Sequence, residues 1–204
     1  MTASAATLKI PAPKLKVERL VSLEKYFQRE ENALHKNEFH NGKIIKMLGG
    51  TFNHDILGTK ATHLLLEFIE NQDLNYFVNG SDMKIRIDAF DRVLYPDAAV
   101  ICEKPIFFEN RKDIIVNPLL IVEVLSDSTD KFDRGDKFEF YRSLETFKEY
   151  VLIHQKRKLV TVYTKQNDTS WLMREYKGDE TIAILYALQE CPLPLKRLYR
   201  GLEL

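Results

Sequence analysis

Apolar and polar positions change period several times along this chain, and each change marks an element. Leu23, Tyr26 and Phe27 recur at helical spacing behind Ser22, which predicts a capped helix of about three turns ending near Glu31. In Glu38-Phe39-His40-Asn41-Gly42-Lys43-Ile44-Ile45 an Asn-Gly dipeptide separates two short extended runs, the signal of a type I′ hairpin. Over residues 52–69, Ile56, Leu57, Leu64, Leu65 and Phe68 return near helical spacing while Glu67 and Glu70 can face water, so a longer helix is expected.

From Tyr76 onward the period falls to two. Met83, Ile85 and Ile87 alternate with Lys84, Arg86 and Asp88, which predicts a strand wet on one face. Residues 98–102 and 119–125 are nearly continuous apolar runs, as expected of central strands covered on both faces by helices, with a polar loop between them. A helix is expected over residues 134–144, and strands over 150–153, 159–164 and 171–176. This order predicts an α/β fold, a central mixed sheet flanked by helices with additional C-terminal strands.

Composition adds limits. The 204 residues, 45% apolar, suit one domain over residues 21–204, preceded by a flexible arm over 1–20 whose proline-punctuated, polar character lacks a secretory core. Thirty basic and thirty acidic side chains cancel, so any nucleic-acid contact must come from a local patch. Cys102 and Cys191 stand in unrelated contexts, which argues against a disulfide framework or zinc site and fits a reducing cytoplasm. No run of about 18 uncharged apolar residues occurs, so no membrane helix is expected.

Three residues carry candidate chemistry. Glu123 interrupts Leu119-Leu120-Ile121-Val122-Glu123-Val124-Leu125, and burying its carboxylate requires a metal, a cationic partner or a raised pKa. A structural ion pair is the plain alternative. Asp97 follows Tyr95-Pro96 at the entry to a strand, where it serves either as a site acid or as a turn residue. On the predicted helix, Tyr141, Leu144 and Phe140 lie about 40°, 20° and 60° from Lys137, which centres the lysine on the apolar face. Such a lysine either snorkels to water or serves a site. Together the three match phosphodiester hydrolysis, which needs acidic ligands for Mg²⁺ and a cation near the attacking water or the developing charge.

At these residues the chain resembles the Uma-two family, or domain of unknown function 820, within the PD-(D/E)XK nuclease superfamily. Tyr95-Pro96-Asp97-Ala98-Ala99-Val100 is similar to its PD motif, residues 118–126 to its acid-bearing strand, and residues 133–141 to the helix that follows. Tyr150-Val151-Leu152-Ile153, the hairpin from Glu38 to Ile44, His54 and Gly80-Ser81-Asp82 extend the likeness over about residues 22–176. The resemblance implies the αβββαβ core of restriction endonucleases, with Asp97 and Glu123 as Mg²⁺ ligands and Glu38 as a supporting acid. Leu125 stands where the superfamily's E-x-K spacing wants a lysine, and the resemblance moves that cation to Lys137.

Further candidates follow. Asp82 is a possible third metal ligand or an ordinary strand-entry residue. His54 contacts a phosphate or caps and packs the long helix. Arg134 pairs with Glu123 or a phosphate, and Lys84 and Arg86 on the wet strand face are candidate phosphate contacts. The expected activity is an Mg²⁺-dependent DNA endonuclease, with Mn²⁺ as substitute ion and a homodimer as the simplest way to cut two strands. The alternatives are a catalytically silent nucleic-acid-binding or interaction module and an RNA-processing nuclease.

Overall fold

In the computed structural model, residues 20–204 are described; the arm expected over 1–20 lies outside them except for Leu20. Helix α1 (Leu23–Glu30) begins where Ser22 accepts the Lys25 N–H, as the capping pattern predicts. Strands β1 (Asn37–His40) and β2 (Lys43–Lys46) form the expected hairpin. Asn41 and Gly42 both take positive φ, 47° and 82°, which a type I′ turn demands and which these two residue types tolerate. Helix α2 (Phe52–Asn71), capped by Thr51, buries Leu57, Ala61, Leu64, Leu65 and Ile69 along one face. Truncating Leu57 there to alanine would cost about 2–5 kcal/mol.

The remaining elements are β3 (Tyr76–Gly80), β4 (Lys84–Ile87), β5 (Arg92–Leu94), β6 (Ala98–Cys102), β7 (Phe107–Phe108), β8 (Arg111–Ile115) and β9 (Leu120–Leu125). After them come α3 (Asp130–Arg134), α4 (Asp136–Arg142), β10 (Glu149–His154), β11 (Leu159–Lys165), β12 (Trp171–Lys177), β13 (Ile182–Leu185), β14 (Cys191–Pro194) and α5 (Leu195–Leu198). Two mixed six-stranded sheets result, in the orders β2-β1-β5-β4-β8-β7 and β12-β11-β10-β9-β6-β3, with β13 and β14 as a separate hairpin. The parallel pairs are β4 with β8 and β9 with β10.

The layers follow from alternation along the central strands. Ala98, Val100, Leu120, Val122 and Val124 face α2, α5 and the β13–β14 hairpin. Ala99, Ile101, Ile121 and Leu125 face the other way, onto Ile85, Ile87, Leu94 and Ile115 of the first sheet and Tyr141 of α4. The expectation of helices on both faces of β6 and β9 is therefore corrected: one face meets α2, the other meets a sheet and α4. Both environments are apolar, so the strand sequence reads the same.

Three further expectations change. The loop expected between residues 102 and 119 contains β7 and β8, whose short polar pattern, Arg111-Lys112-Asp113, hid them. The single helix expected over 134–144 is two helices, α3 starting four residues earlier, broken at Gly135 with ψ of −101°. The wet face of β4 is buried: Lys84 lies 2.6 Å from Asp113, and Arg86 bonds Asp88 at 2.6 Å and Asp91 at 2.9 Å. On that side of the sheet α1 packs Tyr26 and Phe27 against Phe39, Val93 and Ile114, and neighbouring carboxylates supply what water would have supplied.

Candidate active site

Glu123 sits mid-strand in β9, on the face that meets α4. The antiparallel register pairs Ala98 with Val122, so one further step would set Asp97 opposite Glu123. A bend after Pro96 carries Asp97 just off the ladder instead, where its Oδ2 accepts the Val124 N–H at 2.6 Å. The two sequence-predicted acids thus meet at the end of one strand pair.

Lys137 reaches the same point from α4. Its Nζ lies 2.7 Å from Glu123 Oε1 and 3.6 Å from Asp133 Oδ1, and Tyr141 Oη donates to the same Glu123 oxygen at 3.1 Å. Lys137 and Tyr141 share a helix face one turn apart, so a single helix orientation delivers both. Tyr150 of β10 donates to the Asp133 carbonyl at 3.1 Å and steadies α3 against the sheet. Glu38, from β1, accepts the Tyr95 N–H at 3.1 Å and lies 2.9 Å from His40.

Charge in this cluster does not balance. Glu38, Glu123 and Asp133, all almost wholly buried, face one ammonium, and the less buried Asp97 adds its charge beside Glu123 and Asp133. Burial drives the Glu123 carboxyl well above its usual value; Lys137 opposes the rise, while Asp133 and Asp97 add to it. Asp133 rises for the same first reason. Burial would likewise strip the proton from Lys137, but Glu123, Glu38 and Asp133 outweigh it and hold the amine above the lysine range. Glu38, despite burial, is drawn down by Lys137, His40 and the Tyr95 amide. The raised carboxyl of Glu123 favours a neutral acid and the raised amine of Lys137 favours an ion pair. The lysine's charge is the firmer of the two, since three carboxylates face it, whereas Glu123 faces two other acids.

Other candidates are placed apart. Arg134 pairs with Asp130 one turn back at 3.0 Å, not with Glu123. Asp82 is exposed and held by Lys36 at 2.7 Å, with no bond to Asp97 or Glu123. Lys84 and Arg86 are engaged in the internal pairs of β4. His54 does join the site: Thr51, not His54, caps α2, and the His54 Nε2 stands 3.4 Å from Asp97 Oδ2. Gly50 makes room for that ring, since a Cβ there would come within 2.8 Å of its Nδ1. Sequence reading missed Asp133 and Tyr141 as site members. Their four-residue spacing on either side of Lys137 is the signal that would have found them.

Beside Asp97 opens a cleft of about 750 Å³, lined by α2 and by the segments around Lys36, Leu48 and Ser81. Asp97 and His54 border it, whereas the buried Glu123 and Lys137 do not line it.

Two sheets with helices outside, and an acid–lysine centre at the end of the β6–β9 pair, define a mixed α/β protein of nuclease-like type. Comparison with known proteins agrees. A crystal structure at 1.96 Å of "a putative nuclease belonging to DUF820" from Anabaena variabilis ATCC 29413 matches with a TM-score of 0.69, covering 88% of this chain and 97% of that one at 17% identity. The model of the Uma2 family, described as "Putative restriction endonuclease", matches residues 23–196, and the chain belongs to that family. Two relatives come from Synechocystis sp. (strain ATCC 27184 / PCC 6803 / Kazusa). "Uncharacterized protein sll1609" is 39% identical over 161 residues, 79% of this chain and 90% of that protein. "Uncharacterized protein slr1290" is 32% identical over 176 residues, 85% of this chain and 86% of that protein.

Proposed function

We propose that this chain is an Mg²⁺-dependent endonuclease hydrolysing DNA phosphodiester bonds, with Asp97 and Glu123 holding the ion and Lys137 at the reacting phosphate. One observation carries the reading: three carboxylates, those of Glu38, Glu123 and Asp133, face the buried Lys137 ammonium, Asp97 lies beside Glu123, and burial holds the Glu123 carboxyl well above its usual value. The donors suit a hard divalent ion, which binds through one or two carboxylates and keeps several waters. Lys137 and Tyr141 both engage Glu123 Oε1, and the Val124 amide and His54 both approach Asp97 Oδ2, so each carboxylate has a second oxygen outside these contacts. When bound, the ion would polarise a phosphoryl oxygen and acidify water, and Mn²⁺ would substitute. Family membership supports the nuclease class, and Cys102 and Cys191, both free thiols, suit a cytoplasmic setting.

The chain's own residues supply the rest. Because three carboxylates keep Lys137 protonated, it acts as a donor, orienting the attacking water or stabilising charge on the phosphoryl oxygens, and not as a base. Tyr141 fixes the rotamer of Glu123, and Asp133 with Glu38 fixes the amine. The near-complete burial of the Glu123–Lys137 pair also favours a second reading, a silent module in which the pair is structural.

Supercoiled plasmid incubated with Mg²⁺ or Mn²⁺, with EDTA and the Asp97→Ala and Lys137→Ala proteins alongside, separates the two. Nicking that disappears in all three controls supports the nuclease. Folded protein that gains no thermal stability from either ion and cuts nothing supports the silent module.

A further inference from the structure

His54 places a ring nitrogen against Asp97 on the open side of the acid cluster. Its Nε2 stands 3.4 Å from Asp97 Oδ2, and the two side chains are 21% and 19% exposed where they border the cleft. Glu123 is only 3% exposed, so solvent meets the acids on the Asp97–His54 side.

The ring is set in place by its surroundings. Thr51 Oγ1 accepts the His54 N–H at 3.3 Å, which fixes the histidine in the first turn of α2. The same hydroxyl donates to Gln155 Oε1 at 2.6 Å, and the buried Gln155 directly follows β10, so the start of the helix is tied to the sheet. Gly50 leaves the space that Nδ1 occupies, because a Cβ there would come within 2.8 Å of it.

The 3.4 Å separation discriminates between two kinds of contact. A lone pair on Nε2 and a carboxylate oxygen repel unless something positive lies between them. A proton in that place makes a charge-assisted hydrogen bond, which closes nitrogen and oxygen to about 2.7–2.9 Å. A metal ion holds them further apart: two ligands at about 2.1 Å from one ion stand about 3.0 Å apart at a right angle and about 3.4 Å apart at a tetrahedral one. The His54–Asp97 distance belongs to the second kind. Asp97 Oδ2 has two lone pairs, of which the Val124 N–H takes one and leaves one for a cation.

We propose that His54 is a third ligand, through Nε2, of the ion that Asp97 and Glu123 hold, and that this nitrogen makes the centre bind Mn²⁺ more tightly than Mg²⁺. This rests on the metal-dependent nuclease reading above and adds a ligand and an ion preference. Mg²⁺ takes oxygen donors, whereas first-row transition ions also accept imidazole.

The test is pulsed EPR of Mn²⁺ added to the full chain, since a nitrogen bound directly to the ion modulates its electron spin. Modulation from one imidazole nitrogen is expected in the unmutated protein, with its frequency shifted when histidine is supplied with the heavy nitrogen isotope. It should vanish in His54→Ala and persist in His63→Ala, which alters another histidine of the same cleft. His54→Gln replaces the alanine variant if that one fails to keep its melting temperature in EDTA. Calorimetry supplies a second readout: Mn²⁺ should bind about tenfold or more tighter than Mg²⁺, and loss of the imidazole should remove most of that gap by weakening Mn²⁺. No nitrogen modulation, modulation that survives the loss of His54, or an Mn²⁺ affinity unchanged by that loss would each overturn the inference. Plasmid cleavage is scored separately. Nitrogen-bound Mn²⁺ without cleavage sinks the nuclease reading and keeps this one, and cleavage without nitrogen modulation does the reverse.

Discussion

Two clusters among the described residues set cations against acids in apolar surroundings, and they differ in whether the acids reach water. Around β4 and β8 each buried or half-buried cation meets acids that reach water: Lys84 meets Asp113, Arg86 meets Asp88 and Asp91, and Arg111 of β8 bridges Glu31 and Asp113. At the β6–β9 end, one lysine meets an excess of acids. In the first arrangement water shares the solvation of the acids. The second is left with carboxyls that burial forces toward the neutral form, a state that a divalent ion would relieve. A buried cation is common to both clusters; the buried acids in excess belong only to the second, which makes it the candidate site.

The largest expected contrast is in activity. Lys137→Ala should lower plasmid nicking by about a thousandfold or more, the scale of losing a donor aimed at developing charge, whereas Lys84→Met should leave it unchanged. Equal losses in both variants, with both folded by circular dichroism, would erase the distinction between the two regions.

Stability should separate them next. Lys137→Met strands acids in the interior and should cost about 3–5 kcal/mol in urea unfolding, with part recovered by adding Glu123→Gln. Lys84→Met leaves Asp113, whose side chain is 44% exposed, and should cost about 1 kcal/mol or less.

A smaller effect, of opposite sign in the two regions, concerns pH. The Glu123 carboxyl is raised by burial, so between the ordinary value of 4.5 and its folded value only the folded chain keeps that proton, and stability falls as pH rises through this window. Asp113, although burial pushes it up, is drawn below its ordinary 3.8 by Lys84 and Arg111, so its contribution is complete above 3.8 and is lost as pH falls through the folded value. Urea midpoints followed across pH should lose the falling slope above 4.5 in Glu123→Gln, and lose the acid-side drop in Asp113→Asn. A slope unchanged in Glu123→Gln would show that the proton resides elsewhere.

The mildest change, Tyr141→Phe, removes one hydrogen bond to Glu123 and should cost about 1 kcal/mol. It should also weaken Mn²⁺ binding by about tenfold, the usual result of freeing a metal ligand's rotamer. Unaltered ion affinity by calorimetry would reduce Tyr141 to packing.

The amino-acid sequence by itself determined the elements whose cause is local. Ser22 and Thr51 cap helices because their hydroxyls accept free N–H groups, Asn41-Gly42 turns because both residues tolerate positive φ, and the apolar faces of α2 and α4 follow from helical period. The inward position of Lys137 also follows from period, and the structure brings it to Glu123.

Only the tertiary structure decided the rest. An alternating Lys-Ile-Arg-Ile strand reads the same whether its polar face meets water or carboxylates from other segments, so the burial of Lys84 and Arg86 was invisible. A buried strand reads the same under a helix or a second sheet, so the partner of β9 was invisible too. Whether acids scattered from Glu38 to Asp133 share one ammonium depends on chain segments far apart in sequence, and Coulomb energy depends on distance in space, which no local pattern records.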